Sequence, residues 1–301
     1  MEMTNQALTA SGQARAADLL GPALVESQLV PPHGLGKRNS ELASLPRISP
    51  LVLRWFTWYS RRYFRRHFHC LRISRAGLSP RTAGRPLVLY SNHASWWDPL
   101  VCLLLKDMLF SGYTAFAPMD ARMLERYRFF RRLGFFGVEQ RSPRGAVRFL
   151  LLAEAALRSP QNLLALTPQG RFADVRQRPI QFVAGIGHLA ARAPHALFLP
   201  VALEYVFWEE RLPELLVRFG PSVTPSRQDG GSFDAHRWTR LFAQQLADTQ
   251  DALAQEAQRR QAEDFQTLLR GGAGQGGIYD AWRALKAKCR GKTFQREHGN
   301  R

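Results

Sequence analysis

The middle of the chain alternates short apolar runs with longer segments of helical spacing, and this alternation restricts the possible folds more than any other feature. The short runs, bounded by turn residues, predict strands at 87–90, 113–119, 135–139, 163–166, 197–204 and 215–219. The segments between them predict helices, one ending near residue 108 and others over 120–132, 143–158 and 182–192. Such alternation is typical of an α/β fold, with a mixed, largely parallel sheet flanked by helices.

Both ends of the chain differ from this middle part. Residues 1–48 are rich in Ala, Ser, Gln, Gly and Pro and contain no aromatic residue, which predicts a disordered or weakly ordered arm. Residues 49–220 form one predicted domain. Residues 221–301 begin as a linker rich in Pro and Gly and continue as a helical pattern over 233–269, a Gly-rich break and a short helix over 278–288. We expect a linker and a helical appendage there.

Residues 51–68 predict a basic amphipathic helix at the start of the domain. At 100° per residue one side carries Arg54, Arg61 and Arg65, and the other carries Val52, Phe56, Tyr59 and Tyr63. Trp55 and Trp58 flank the boundary between the two sides. This composition is that of a helix lying in a lipid interface. The alternative is a basic helix packed on the protein's own core.

The charge of the chain points to an anionic partner. Lys and Arg number 42 against 24 Asp and Glu, which gives a formal net charge of +18, and nearly all the cations are arginine. Ten arginines and no acidic residue lie between Glu41 and Asp98, and a second arginine concentration covers 122–148. Nucleic acid and an anionic membrane surface are the two candidate partners. No nucleic-acid-binding motif is visible, so we expect the membrane and not nucleic acid.

The cysteines and the hydropathy restrict the cellular compartment in which we expect the protein. Cys70, Cys102 and Cys289 show no metal-ligand spacing, which favours a reducing compartment with neither disulfides nor a metal site. The longest apolar run, 100–105, is too short to span a bilayer. The first residues lack the pattern of a secretory signal. We therefore expect a cytoplasmic protein, peripheral on the inner face of the cytoplasmic membrane.

A histidine and an aspartate directly after the first predicted strand of that series carry the strongest chemical signal. The chain reads Ser91-Asn92-His93-Ala94-Ser95-Trp96-Trp97-Asp98-Pro99. A residue at the carboxyl end of a strand, where a helix begins, sits where open α/β sheets place their active sites. Asp98 can fold back through one turn and orient the His93 imidazole as a general base for a substrate hydroxyl. The plainer explanation is that His93 only caps the following helix and that Asp98 hydrogen-bonds within that turn.

Three further blocks follow in order. They read Gly134-Phe135-Phe136-Gly137-Val138-Glu139-Gln140-Arg141, then Thr167-Pro168-Gln169-Gly170-Arg171-Phe172, then Leu199-Pro200-Val201. Together with Asn92-His93 and Asp98, they resemble the glycerolipid acyltransferase family, which belongs to the lysophospholipid acyltransferase superfamily and includes the 1-acyl-glycerol-3-phosphate acyltransferases. The resemblance covers about residues 51–220. It implies an α/β acyltransferase domain.

The resemblance also implies roles for matching residues. His93 would be the general base and Asp98 its partner, with Asn92 shaping the surroundings of the base. The donor would be acyl-CoA or acyl-carrier protein, a substrate and not a cofactor, and the acceptor a lysophospholipid-like lipid. Arg141 matches the arginine near the acceptor phosphate, although the block is one residue longer than usual and Arg144 competes for this role. A solvated arginine explains either one equally well.

The third block departs from the family pattern. Gln169 stands where the family has glutamate, Arg171 where it has threonine, and Phe172 where it has arginine, whereas Gly170 keeps its place. Glutamine can orient a hydroxyl but cannot act as a base. We expect Gln169, Gly170 and Arg171 to contact substrate, with Arg171 and Arg141 holding a phosphate. The alternatives are an acceptor without phosphate, a catalytically inactive membrane-binding relative and, with less support, a nucleic-acid-binding protein.

Overall fold

A computed structural model describes residues 44–77, 82, 84–225 and 234–273. Within these ranges the chain forms eight strands. They are β1 Cys70–Ser74, β2 Leu87–Ser91, β3 Thr114–Asp120, β4 Phe135–Val138, β5 Asn162–Leu166, β6 Leu197–Val206, β7 Glu214–Phe219 and β8 Phe265–Arg270.

The same ranges contain six α-helices and two short 3-10 helices. The α-helices are α1 Pro50–His67, α2 Asp98–Leu109, α3 Ala121–Arg126, α4 Pro143–Leu157, α5 Gly185–Arg192 and α6 Ala235–Arg259. The 3-10 helices are Arg128–Leu133 and Ala262–Asp264. Among these helices none combines the length and the apolar character needed to span a membrane.

The strands form one sheet in the order β4-β3-β5-β2-β6-β7-β1-β8. β2 to β6 all run in the same direction, and β7 turns back antiparallel to β6. β1 is parallel to β7, and β8 is antiparallel to β1. The predicted α/β fold with a mixed, largely parallel sheet is confirmed.

Helices cover both faces of this sheet. Side chains alternate along the fully buried strand β2, so Leu87 and Leu89 enter the core under α1 and α2, whereas Val88 and Tyr90 enter the core under α4, α5 and α6. A central strand that is buried on both sides reads as a continuous apolar run, which is why the sequence reveals it.

Two predicted helices need correction. The predicted helix 120–132 is two elements, because Tyr127 leaves helical geometry (φ −119°, ψ 66°) and a 3-10 helix follows. Phe130 of that 3-10 helix contacts the rings of Phe56 and Phe135. The helix predicted to begin at residue 182 begins at Gly185 instead. The N-terminal boundary of α4 is as predicted, since Ser142 caps it and Pro143 follows.

The C-terminal part of the chain is joined to the sheet. The predicted helical pattern is correct for α6, but residues 265–270 form strand β8, which pairs with β1. Phe242 and Leu246 of α6 lie in one core and Leu253 in another. Residues 234–273 are therefore part of the sheet and its cores and not an appendage. Residues 1–43 of the arm predicted over 1–48, and the helix predicted at 278–288, lie outside the described residues.

The basic helix predicted at 51–68 is α1, with Ser49 as its N-cap. Its orientation differs from the predicted one. The side turned to the core carries Thr57, Ser60 and Phe64, which lie between the two predicted faces. Trp55 and Trp58 consequently stand on the exposed side, not at its boundary.

Candidate active site

Neighbouring parallel strands bring together the loops that carry the sequence motifs, namely those after β2 and β5. β2 lies between β5 and β6, with Tyr90 opposite Leu166 and Ser91 opposite Val201. The loops after β2 and β5 therefore leave the sheet side by side. We name the edge at which β2 to β6 end the carboxyl edge. β6 continues past Val201 to Val206, so its last residues stand beside the loop after β2.

His93 and Asp98 are in contact at this edge. Nδ1 of His93 lies 2.8 Å from Oδ2 of Asp98. The Asp98 side chain is 1% exposed, whereas that of His93 is 20% exposed. Asp98 opens α2, so one turn of chain returns its carboxylate to the imidazole, as the spacing predicts. The carboxylate is thus buried behind a ring that still reaches solvent.

Two further donors hold the Asp98 carboxylate. The backbone N–H of Ser95 donates to Oδ2 at 3.0 Å, and the hydroxyl of Tyr205 donates to Oδ1 at 2.6 Å. Burial, with the Asp98 charge as a second cause, raises the pKa of the Tyr205 phenol well above its usual range. The phenol therefore stays protonated and acts as a donor.

This network assigns the protons of His93. Because the carboxylate can only accept, Nδ1 of His93 carries the hydrogen and Nε2 has the free lone pair. Within the described residues no Ser, Thr or Cys side chain hydrogen-bonds to His93. The arrangement can therefore take a proton from an incoming hydroxyl group without passing through an enzyme nucleophile.

Asn92 fastens the loop after β2 to the end of β6. Its side-chain amide donates to the carbonyl of Leu203 at 2.9 Å and accepts from the Leu203 N–H at 2.8 Å. Asn92 is buried, so this paired contact satisfies polar groups that water does not reach. Asn92 thus positions the loop that carries His93.

The loop after β5 is tied to His93 at three points. The side-chain oxygen of Gln169 accepts from the backbone N–H of His93 at 2.9 Å, and the carbonyl of His93 accepts from Ala173 N–H at 2.9 Å. Between them Gly170 has φ +64°, a left-handed conformation that favours glycine. The ring of Phe172 lies over the imidazole, with centroids 4.3 Å apart and planes at 37°.

The predicted arginines stand further out. Arg171 is exposed at the tip of the loop after β5, next to Phe172. Arg141 and Arg144 are exposed after β4, and Arg141 has a left-handed φ of 56°. β4 is three strands from β2, which at about 4.8 Å per strand puts its end about 14 Å away. The structure thus brings together His93, Asp98, Asn92, Gln169 and Gly170, and leaves Arg141 without contact to them.

Tyr205 is the site residue that sequence reasoning missed. The predicted strand stops at residue 204, whereas β6 runs two residues further. The sequence offers one signal for it: Tyr205 directly follows the predicted strand 197–204. A parallel sheet could place that strand next to β2. The family blocks end before it, at Val201.

A second cluster of titratable groups lies where β1 and β7 begin. The ligand atoms of His69, Cys70 and Glu214 lie within 4.8 Å of one another. Arg72 Nε already donates to Glu214 at 2.5 Å, and the thiol of Cys70 donates to the same carboxylate. Burial and the Glu214 charge raise the pKa of the Cys70 thiol far above its usual value. The Glu214 carboxylate in this group is therefore already engaged by Arg72 and Cys70.

Two comparisons with known proteins returned nothing. No protein-family model matches the chain, and no curated protein matches it.

Proposed function

We propose that the protein is a peripheral membrane O-acyltransferase. It moves a fatty acyl group from an acyl thioester, acyl-CoA or acyl-carrier protein, to the hydroxyl of a lysophospholipid-like acceptor. The support for this proposal comes from the residues at the carboxyl edge and from the resemblance of their motifs to the glycerolipid acyltransferases.

The single observation that carries the proposal is the oriented His93–Asp98 pair. Nε2 of His93 takes the proton of the acceptor hydroxyl as its oxygen attacks the thioester carbonyl carbon. The tetrahedral intermediate then collapses, the carbon–sulfur bond breaks, and the imidazolium returns the proton to the thiolate. Asp98 stabilises the imidazolium between these two steps. Both transfers need one ring nitrogen open to substrate and one that is held from behind. The contact of Nδ1 with buried Asp98 and the partial exposure of the His93 side chain support this assignment.

The remaining contacts at this edge serve positioning. Asn92 and Gln169 fix the backbone on either side of the imidazole through bonds to Leu203 and to His93 itself. Glutamine fills this role as well as glutamate, because the contact uses only an acceptor oxygen. The departure from the family pattern at residue 169 is therefore compatible with an active enzyme.

The acceptor is proposed to carry a phosphate, bound by Arg171 first and by Arg141 second. Arg171 is exposed one residue before Phe172, whose ring covers one side of His93. A guanidinium there can form paired charge-assisted bonds to a phosphate. The observation that favours an acceptor without phosphate is Phe172 itself, since an apolar ring stands where the family has its arginine.

An acyl-transfer assay with purified full-length protein tests the function and the acceptor together. Lysophosphatidic acid and a neutral monoacylglycerol are offered with acyl-CoA, and then with acyl-carrier protein. We expect transfer to lysophosphatidic acid, with KM raised about 10-fold or more in Arg171→Ala. Arg158→Ala, which removes an exposed arginine at the opposite edge of the sheet, is the matched control.

Each other outcome selects an alternative. Transfer only to the neutral lipid, or no effect of Arg171→Ala combined with Arg141→Ala, favours the acceptor without phosphate. Folded protein that binds anionic vesicles but transfers no acyl group is an inactive relative. Retention on DNA but not on vesicles at the same salt concentration favours nucleic-acid binding.

A further inference from the structure

A continuous line of aromatic rings connects α1 with the loop that carries His93. The rings stack in sequence, with centroids of Trp55 and Tyr59 at 5.9 Å, Tyr59 and Tyr63 at 5.6 Å, and Tyr63 and Trp97 at 5.3 Å. Trp96 contacts Trp97 at 5.7 Å and is 70% exposed. We name these five residues the aromatic stripe. It brings the exposed side of α1 into continuity with the residues between His93 and Asp98.

The other exposed apolar side chains extend the same region. Four of the twelve large apolar side chains exposed in the described part of the chain lie on α1. The other eight follow the carboxyl ends of β2 to β6: Trp96, Met123, Tyr127, Phe129, Val147, Phe172, Val183 and Phe207. None lies in the connections 110–113, 158–161 and 193–196 that enter the strands from the opposite edge. Water-exposed apolar groups with so uneven a distribution mark an interaction surface.

Arginines are interleaved with these apolar groups. On α1 the exposed cations are Arg54, Arg62, Arg65 and Arg66, and Arg61 is paired with Asp107. A cavity of about 510 Å³ beside the helix is lined, among described residues, by Trp58, Arg61, Arg62, Arg65 and Arg66. A space whose described wall contains four guanidinium groups and one indole suits an anionic head group.

The mixture of groups favours a bilayer over a protein partner. Protein interfaces are also enriched in tryptophan, tyrosine and arginine, but charged residues are depleted from their buried core and lie at the polar rim. Here tryptophan and tyrosine alternate with arginine along one helix, as in surfaces that lie among lipid head groups. Arginine adds attraction to an anionic leaflet.

We propose that the exposed side of α1, the aromatic stripe and the carboxyl-edge loops form one docking surface for an anionic lipid bilayer, so that His93 opens toward the lipid. This inference rests on the proposed function, because the orientation of His93 toward lipid matters only if the acceptor is a lipid. A lipid acceptor then reaches the imidazole from the membrane without crossing water.

Co-sedimentation with vesicles of phosphatidylglycerol and phosphatidylcholine tests the surface without any acyl donor. Trp55→Ala with Trp58→Ala removes apolar groups from α1, and Val183→Ser with Phe207→Ser removes them from the carboxyl-edge loops. We expect each pair to lower vesicle partitioning about 5-fold or more, because each removes side chains that would enter the interface. His195→Ala, at the opposite edge of the sheet, should bind as the parent protein does, and thermal unfolding checks that each variant is folded.

Site-specific fluorophores report the orientation. Cysteines are introduced as Phe207→Cys at the carboxyl edge and, in a second variant, as Ser111→Cys at the opposite edge, both in a Cys289→Ser background. Burial and the Asp98 charge raise the pKa of Cys102 to about 12, so at pH 7 that thiol stays protonated and unreactive. Brominated lipids should quench the fluorophore at residue 207 and not the one at residue 111.

The outcomes separate the docking surface from the catalytic proposal. Unchanged vesicle binding in both variant pairs, or equal quenching at residues 207 and 111, overturns the docking surface. It is also overturned if the substitutions instead abolish a dimer formed without vesicles, because the surface then joins two copies. Normal docking without acyl transfer leaves this surface standing and removes the proposed function. Acyl transfer to detergent-dispersed substrate by a protein that does not dock on vesicles supports the proposed function and overturns the docking surface.

Discussion

The two edges of the parallel strands contain the same residue types, but these residues make different kinds of contact. At the carboxyl edge His93 and Tyr205 both contact the carboxylate of Asp98, and the outer face of the imidazole remains accessible. At the opposite, amino edge, His195 and Tyr113 each contact a single backbone carbonyl, of Leu157 and Arg85 respectively. The amino-edge contacts tie a side chain to the backbone of a distant segment, whereas those at the carboxyl edge connect titratable side chains.

Exposure follows the same division. The amino-edge connections expose small and polar residues such as Ser111, Arg158 and Gln161, whereas the loops at the carboxyl edge expose Trp96 and Phe207. Both edges terminate the same buried strands, so strand stability does not explain the contrast. It follows instead from what each edge meets: water at one and, in our proposal, lipid substrate at the other. Matched substitutions at the two edges test this difference.

The two histidines provide the largest expected contrast. His93→Ala should lower acyl transfer about 100- to 10,000-fold, because it removes the proposed general base. His195→Ala, the amino-edge counterpart, should leave the rate within about 2-fold, since it loses one part-buried hydrogen bond away from His93. Steady-state rates with a thioester donor measure both. Asp98→Asn should also be severely impaired, because the imidazole loses its orienting anion. Near-normal turnover by a folded His93→Ala protein would contradict the catalytic assignment.

The two asparagines provide a contrast in stability. Asn92 makes two buried hydrogen bonds to Leu203, whereas Asn162 at the amino edge makes one, to the carbonyl of Ala156. Asn92→Ala should therefore lower the free energy of unfolding by about 3 kcal/mol and Asn162→Ala by about 1 kcal/mol. Urea unfolding of both variants checks this. Equal losses would show that the two Asn92 hydrogen bonds to Leu203 contribute no more to stability than the single Asn162 bond.

The two tyrosines separate positioning from packing. Tyr205→Phe removes the hydrogen bond to Asp98 and should lower kcat about 10-fold with little change in KM, because substrate contacts are untouched. Tyr113→Phe removes one hydroxyl at the amino edge and should change neither constant. A loss of activity that only parallels a loss of folded protein, or the same kinetic loss in both variants, would remove Tyr205 from the machinery.

The sequence predicts the part of the site that is local in the chain. His93 and Asp98 lie five residues apart across one strand end and one helical turn, so strand and helix geometry alone can bring them together. Gln169 and Gly170 follow from the family blocks and from the rule that adjacent parallel strands end at the same edge. The order of strands, however, depends on long-range packing. For this reason the sequence alone does not reveal that Tyr205 reaches Asp98 or that Arg141 lies three strands away.

The errors in the predicted fold have the same origin. β8 is amphipathic and follows a long helix, so its pairing with β1 on the far side of the sheet leaves no local signal. The buried side of α1 carries a threonine and a serine between two more conspicuous faces. Hydrophobic periodicity identifies α1 as a helix, but which side faces inward depends on α2 and on the 3-10 helix that packs against it.

The smallest expected contrast is between arginines. Arg54→Gln, Arg62→Gln and Arg65→Gln together should weaken binding to anionic vesicles by about 1 kcal/mol per charge, with little effect on neutral vesicles, because each cation attracts the anionic leaflet. Arg61 is left in place, since its ion pair with Asp107 joins α1 to α2 and its loss would disturb the fold. Arg158→Gln at the amino edge also removes an exposed arginine and should change neither affinity. Added salt should reproduce the effect of the α1 substitutions in the parent protein, because screening acts on the same attraction. Arg158→Gln could instead weaken binding to anionic vesicles as much per charge as the α1 substitutions do. In that case the net charge of the protein governs the association, and the placement of its arginines does not. The contrast between the two edges would then not extend to charge.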